Sequence, residues 1–391
     1  MPDNLTAADL VMRTDVAAAT TGGAAGANKL WLPLWSGEVI NAYDHYNVFE
    51  NVITAKTLTG GFSWEFPVTG TIALKAAWNA GEELVGGDSS STTFKVNLDP
   101  RPMAAHFETD NVDLLITQWD YRSELARQAG MTLANTRDTQ VAVSLLAACA
   151  VGPLASDPRG LTNAEFPQPV EVSTGAPSAA DDSVGLKILK AIEDYFVFMQ
   201  ENNYPVANVY CVVTPKVFQV IRALGITRAG DTNAFEKVPL FGTSSDYGSI
   251  GAPLSVGMNS LTDSLEYMGC RIIKSNHLPK TNLGAAGNSI GASKYNLNCS
   301  AVNLHGMIFQ PEAVAGLSLM GMKVDTVQDV RRNTQFTVAS MQKGTGILRP
   351  ELCQALVGAA TGNALNERQE LRTALGANLT SGFSAEYAVT A

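Results

Sequence analysis

Charge is scarce in this chain: only 16% of its 391 residues are Asp, Glu, Lys or Arg, against about 25% in ordinary soluble domains. The balance is acidic, 27 basic against 37 acidic residues for a net charge of −10. That excludes a general basic surface for gripping nucleic-acid phosphates. Interface centres are depleted in charge, so the shortage suggests a surface much of which does not face water. Cysteine is sparse and scattered. Cys149, Cys211, Cys270, Cys299 and Cys353 form an odd set with no C-x-x-C pair, so neither a disulfide frame nor a zinc site is encoded. The most apolar run, Val141 to Val151, falls short of the ~20 residues that cross a bilayer. The N-terminus carries Asp3 and has neither a basic nor an apolar leader region, which reads as a chain made in the cytosol with no membrane role. The hydrophobic fraction, 46%, is ordinary and sufficient at this length for two or three domains with real cores.

Residues 1 to 28 are rich in Ala, Thr and Gly and offer little to bury, so they are expected to order only on a neighbouring surface. Lys29 to Phe49 turns abruptly apolar, with Ser36 placed to cap a short helix carrying Val39, Ile40 and Tyr43. Phe62 to Phe66 and Phe94 to Leu98 alternate as strands around the Gly-, Ser- and acid-rich stretch Gly81 to Ser91. Two such strands make a long β-arm. A lone two-stranded arm is marginally stable in water, so it gains by lying on something else.

Leu125, Ala129 and Leu133 recur every four residues, as do Val141, Leu145 and Cys149, which predicts a helix spanning roughly 40 Å from Tyr121. Its middle, Asn135 to Gln140, is polar nearly all round, and suits a helix backed by several polar partners. Residues 152 to 182, punctuated by Pro, Gly and Ser, read as a loop or extended link. An α/β unit follows: a helix capped by Asp182 or Ser183, with Ile188, Leu189, Ile192, Phe196 and Met199 on one face and Asn202-Asn203 at its end. Val209 to Val213 is a buried-strand run, and Thr214-Pro215 an N-cap followed by proline at the first helical position. Met268 to Ser275 contains another strand, several apolar segments follow Leu304, and the tail from Ala359 is polar and small apart from a short helix at Asn366 to Leu375. No repeat of 20 to 50 residues indicates a solenoid or propeller.

Enzyme motifs fail on context. Gly287-Asn288-Ser289-Ile290-Gly291 matches G-x-S-x-G, but loop-like residues precede it where a nucleophile elbow needs a strand. His106-Phe107-Glu108 matches H-x-E without the P-C-x-x-C that completes a zinc deaminase. His45, His277 and His305 are isolated, so no helix-borne metal pair is encoded. The acid pairs Glu82-Glu83 and Asp181-Asp182 sit in turn-like contexts. No phosphate-cradling G-x-x-x-x-G-K-[ST] occurs, and no cofactor is expected.

Six stretches, in order, carry a resemblance: KLWLPLWSGEVINAYDHYNVF, SWEFPVTGTIALKAAWNAGEEL, DYRSELARQAGMTLANTRDTQVAVSLL, YPVANVYCVVTPKVFQVI, GCRIIKSNHLP and GILRPELCQALV. From about Lys29 to Gly358 the chain resembles the major capsid proteins of tailed bacteriophages with the HK97-type fold. Within these it is similar to those of short-tailed phages of the autographivirus (podovirus) kind, including cyanophages. The resemblance implies an α+β chain: an N-terminal arm (1–61), an extended β-hairpin loop (62–108), a peripheral domain with a long spine helix (109–184), an α/β axial domain (185–322), a second peripheral part (323–358) and a tail (359–391).

It implies a non-enzymatic shell subunit that forms hexamers and pentamers around a scaffolding protein. The shell would enclose double-stranded DNA delivered through a portal, and would expand on maturation. Assembly is expected in the host bacterial cytoplasm and the mature subunit in the virion capsid. Expected contacts between copies involve Trp64, Phe66, Glu82, Glu83, Phe94, Arg122, Arg331, Arg332 and Arg349, with Gly130 as a hinge in the spine helix. Lys56, Lys75 and Lys95 lie in or near the β-arm, with no motif marking any of them as a crosslinking lysine. Two other readings stay open: an encapsulin-like compartment of the same fold, and an α/β enzyme with a dispersed site.

Overall fold

The computed structural model describes residues 49–69, 81, 83, 91–110, 121–152, 159, 161–174, 182–223, 225–227, 237–239, 264–330, 332–359, 365–376, 379 and 383. The chain divides into a smaller unit, residues 1–46, 104–133 and 322–340, and a larger one, residues 47–103, 134–321 and 341–391.

The larger unit is built on a mixed six-stranded sheet. In spatial order its strands are β5 (Val170–Thr174), β14 (Cys353–Ala359), β11 (Leu304–Phe309), β6 (Val209–Val213), β10 (Cys270–Lys274) and β9 (Ser264–Tyr267). The central strand β11 is buried at all six positions, as an apolar run covered on both faces must be. Gly306 lies where the β11 register slips, and a Cβ there would sit 2.7 Å from the Val212 carbonyl oxygen. The sheet also takes β5 from before the expected axial boundary and β14 from beyond it. The boundaries drawn at 184/185 and 322/323 therefore do not enclose this sheet, because Leu356 and Val357 of β14 are fully buried and require an interior place.

The helix α2 (Asp182–Glu201) packs against β5 and against α3 (Pro215–Ala223). Val184, Ile188, Leu189, Ile192, Tyr195 and Met199 are its buried face, at the i, i+3/i+4 spacing of a half-buried helix. Asn203 ends it at φ 55°, with the Tyr204 N–H donating to the Met199 carbonyl at 2.9 Å, a Schellman-type closure. Both residues expected to cap α2 are already helical. Thr214 closes the first turn of α3 with its carbonyl, which accepts from the Phe218 N–H at 2.9 Å. Its hydroxyl is buried without a partner among the described residues, so the expected side-chain cap is not formed.

A second sheet has four strands in the order β1 (Thr54–Thr57), β12 (Val314–Asp329), β13 (Thr334–Ile347) and β4 (Met103–Asp110). In the larger unit β1 runs parallel to β12, with Thr54 opposite Ala315, and Phe49, Val52, Ile53 and Leu58 are buried around it. The last part of the expected arm is therefore core. The expected helix near Ser36 lies outside the described residues. In the smaller unit β4 belongs to this sheet, so the expected β-arm ends with Asn97 and not at residue 108. The arm is β2 (Ser63–Thr69) paired antiparallel with β3 (Ser91–Asn97).

The long helix α1 (Tyr121–Ala150) is continuous over 30 residues, and from Val141 to Val151 every residue is buried. The most apolar stretch of the sequence is thus a core helix end, and no described helix is long and apolar enough to cross a membrane.

The tail departs most from expectation. Leu365, Leu371, Leu375, Leu379 and Phe383 are all buried, and Arg368, at the start of α4 (Arg368–Leu375), is buried with them. Its guanidinium donates to the carbonyls of Pro167 at 3.0 Å, Pro350 at 3.3 Å and Val151, and lies 4.8 Å from the Phe166 ring centre. Arg368→Ala leaves three buried carbonyls short of a donor, each on the order of 1–3 kcal/mol. We expect limited proteolysis to remove the tail from this variant much faster than from the parent protein.

Candidate functional site

Alternation along the β-arm places side chains of one face in register across the pair: Trp64 opposite Val96, Phe66 opposite Phe94 and Val68 opposite Thr92. Glu65 opposes Lys95 on the other face. The apolar face is not uniformly available. Phe94 is only 2% exposed and carries the Arg159 guanidinium 5.9 Å from its ring centre. It packs within its own chain and offers little surface for the expected contact between copies. Phe66 is half-buried against the same core. Trp64 and Phe62 are exposed, with the Lys56 ammonium 4.8 Å from the Trp64 ring centre. The β-arm thus offers two exposed aromatic rings on a two-stranded ribbon. Glu83 is exposed, while Glu82 and Lys75 lie outside the described residues. Arg122 lies in the first turn of α1.

The remaining expected arginines divide sharply. Arg349 donates to Glu312 Oε2 at 2.6 Å and to Glu351 Oε1 at 2.9 Å. Arg159 pairs with the same Glu351 oxygen, and Glu351 is fully buried. Arg349 therefore closes an internal ionic chain. Arg332, by contrast, is exposed on the smaller unit, 4.0 Å from Glu108 and 3.9 Å from Asp329, pairs worth little in water. It borders a cleft of about 450 Å³ that Val327 and Phe336 also line. Nearby, Val330 at the β12–β13 turn is 86% exposed. Arg331 lies outside the described residues. The sequence reading missed Val327, Val330 and Phe336, because isolated apolar residues in a strand pattern read as core.

Beneath the polar middle of α1 lies the partner set that its composition called for. The Arg137 guanidinium donates to the Gly344 carbonyl at 3.2 Å. The Asp138 carboxylate lies 3.0 Å from His277 Nδ1. The Gln140 amide donates to the Ile290 carbonyl at 2.8 Å, and the Ser144 and Thr345 hydroxyls are 2.7 Å apart. Thr345 leads on to Lys294, which donates to its carbonyl at 2.7 Å, and to the Tyr295 hydroxyl at 2.9 Å. Tyr295 in turn donates to Asp99 at 3.1 Å, and Lys294 lies 3.4 Å from the same carboxylate. Burial pushes the Asp99 carboxyl above its ordinary range, against the opposing pull of Lys294. Burial likewise raises the Tyr295 phenol. These groups fasten α1 to β13 and to residues 277 and 290, and through Lys294 and Tyr295 to residues 97–99.

The motif residues occupy ordinary structural places. Ser289 is exposed in a loop, its hydroxyl donating to Asn296 Oδ1 at 3.1 Å. His106 and Glu108 are exposed on one face of β4, where the His106 ring lies tilted with its centre 5.8 Å from that of Phe336 and Glu108 accepts from the Thr334 hydroxyl at 2.5 Å. His305 is buried, 2.7 Å from the Ser173 hydroxyl. His45 lies outside the described residues. Among the described residues no cluster of His, Cys, Asp or Glu is arranged to hold a metal. All five cysteines are buried and outside any disulfide. Burial raises Cys270 and Cys299 to about 12 and pushes Cys211 and Cys353 well above their ordinary value.

No family model matches the chain. A curated relative, the "Major capsid protein" of Escherichia phage T7, is 22% identical over 84% of this chain and 91% of its own length. Among solved structures, the "Capsid structure of the Cyanophage P-SCSP1u" matches with a TM-score of 0.62 at 26% identity, covering 85% of this chain and 94% of that one. The "Asymmetric unit of bacteriophage PhiM1 mature capsid" matches with a TM-score of 0.59 at 15% identity, over 82% of this chain and 89% of that one.

Proposed function

We infer that this chain is a major capsid protein of the HK97-type fold, of the kind carried by podovirus-type bacteriophages. Many copies build an icosahedral shell, and the subunit's role is structural. The observation that carries this reading is coverage. The likeness runs over 82–85% of this chain and 89–94% of the proteins it matches, so it concerns an entire subunit and not a shared module. The phage relatives favour a phage shell over an encapsulin-like compartment. Among the described residues Ser289, His277 and His305 lie in separate places with ordinary structural partners, and the structural role rests on the likeness to capsid proteins.

The finer reading rests on the resemblance and on physical fit. Copies form hexamers and pentamers around a scaffolding protein in the host cytoplasm. A portal occupies one vertex, and the shell expands as double-stranded DNA is packaged. An acidic, charge-poor wall fits DNA that must be held without being adsorbed. Each contact can be modest, because a closed lattice engages every subunit at several places simultaneously. Phe62 and Trp64 of the β-arm, with Glu83 beyond them, are placed to lie on a neighbouring copy, which would supply the burial that a two-stranded ribbon lacks. The test is sedimentation and negative-stain microscopy of the chain co-expressed with a candidate scaffolding protein. Rings of five and six or closed shells are expected; a clean monomer or dimer with the scaffold present overturns the reading.

Gly130 is half-buried in α1, one turn before the chain passes from the smaller unit to the larger. Glycine inside a helix costs ~1 kcal/mol relative to alanine, and our proposal is that it lets the spine bend before maturation and straighten afterwards. Gly130→Ala should then stabilise the subunit by about that amount while slowing shell expansion, followed as capsid diameter against time. Expansion at the parental rate would leave close packing of another backbone over Gly130 as the better account.

A further inference from the structure

The outward face of α2 carries charges arranged poorly for the helix itself, and of these Glu193 also accepts a hydrogen bond from the Tyr267 hydroxyl of β9. Leu186, Lys190, Glu193, Val197 and Gln200 follow one another at intervals of three and four along a single exposed stripe, with Glu201 beside it. The end near Leu186 is basic, with Lys187 and Lys190, and the far end is acidic, with Glu193, Asp194 and Glu201. Glu201 stands in the last turn, which contains no basic residue. There the helix dipole disfavours an anion. Lys190 precedes Glu193 and Asp194, the weaker order for pairs three and four apart.

Exposed apolar groups lie among these charges. Leu186 is 57% exposed at the basic end and Val197 52% at the acidic end. Beside the acidic end a cleft of about 360 Å³ is lined by Phe196, Gln200, Val206 and Met268. Met268 is itself 57% exposed. It occupies the first position of the two-residue β9–β10 turn at φ 50°, followed by Gly269 at φ 83°. Such turns call for Asn, Asp or Gly at that position. Met268 therefore carries both a conformational cost and a side chain exposed at the mouth of this cleft.

We propose that this face is a head-to-tail contact between copies of the chain: the basic Leu186 end of one copy seats against the acidic end and the Met268 cleft of the next. Opposite charges at the two ends of one helix meet when identical subunits follow one another around a ring. A contact of this heterologous kind closes into rings when its rotation permits. The inference rests on the shell reading and adds to it the surface through which neighbouring copies meet.

The test uses full-length protein co-expressed with the candidate scaffolding protein, scored by gradient sedimentation and microscopy beside the parent chain. Lys190→Glu and Glu201→Lys each bring like charges together and should cut the yield of rings and shells at least tenfold. The double variant restores the opposite-charge pair between positions 190 and 201 at each contact and should recover the yield to within twofold. Both residues are exposed, so melting curves should stay parental. Parental assembly by either single variant overturns the contact while leaving the shell reading intact. A double variant that stays as defective as the singles also overturns it, and would place a different protein, such as the scaffold, on this face. If the parent chain itself fails to assemble, the shell reading falls and this contact with it.

Discussion

Gly344→Ala is expected to be among the most damaging single-methyl additions in the larger unit. A Cβ at this position would lie 2.6 Å from the Asn97 carbonyl oxygen, 2.8 Å from Leu98 Cα and 3.0 Å from the Asp99 nitrogen. All three are backbone atoms, so no side-chain rotation relieves the clash; β13 or the 97–99 segment must move. The same approach is fastened by the Asp99 N–H donating to the Lys343 carbonyl at 3.4 Å and by Arg137 donating to Gly344 itself. Movement therefore loosens the polar set under α1 as well. Overpacking that side chains can absorb costs about 1–3 kcal/mol, and this site belongs at or above the upper end. The expected readout is a fall in melting temperature of roughly 6–12 °C together with loss of soluble yield. Gly321→Ala, where a Cβ meets nothing within 4 Å, serves as the neutral control. A Gly344→Ala variant that melts with the control would mean that this close approach is not held in solution.

Lys294→Met should rival it by another route. The ammonium is nearly buried and lies 3.4 Å from the Asp99 carboxylate, and it also donates to the carbonyls of Thr345 and Asn97. Removing one member of a buried pair leaves the other uncompensated, at about 3–5 kcal/mol. The pH dependence gives this prediction its sign. Burial raises the Asp99 pKa in the folded protein and Lys294 pulls it down, so loss of the lysine raises it further. The folded variant then binds a proton at a pH where the unfolded chain has already released it, and its stability improves as pH falls through that window. The deficit relative to the parent protein should therefore shrink on acidification from neutral pH, as measured by urea unfolding at a series of pH values. A deficit that is constant, or grows on acidification, would show that Asp99 is not left as an uncompensated anion.

Much of this architecture was legible in the residues because their local patterns agree with their final surroundings. The all-round polarity of Asn135 to Gln140 announced partners that tertiary structure then supplied as Gly344, His277 and Ile290. The run Val209 to Val213 became a central strand, and Asn203 a left-handed helix stop. The tail was misjudged since its apolar residues are spaced too widely to register as a pattern; Arg368 anchors it through backbone carbonyls, which no side-chain motif reports. The burial of Phe94 was not legible for a related reason. Alternation says that one face of the β-arm is apolar but not what covers it, and the residue over Phe94 is Arg159, more than sixty positions away. Arg332 and Arg349 look alike as sequence, yet one is exposed and the other closes an ionic chain on a buried glutamate.

The burial of all five thiols has a practical consequence for chemistry on the subunit and on the shell proposed for it. With every native cysteine inside the fold, and four of them held far from ionisation by burial, reagents that require a thiolate find little to attack. A single cysteine introduced at an exposed position would then take up a maleimide dye, a polymer or a peptide once per subunit. Each particle would be labelled in a number fixed by its copy count, with no native thiol to be removed first.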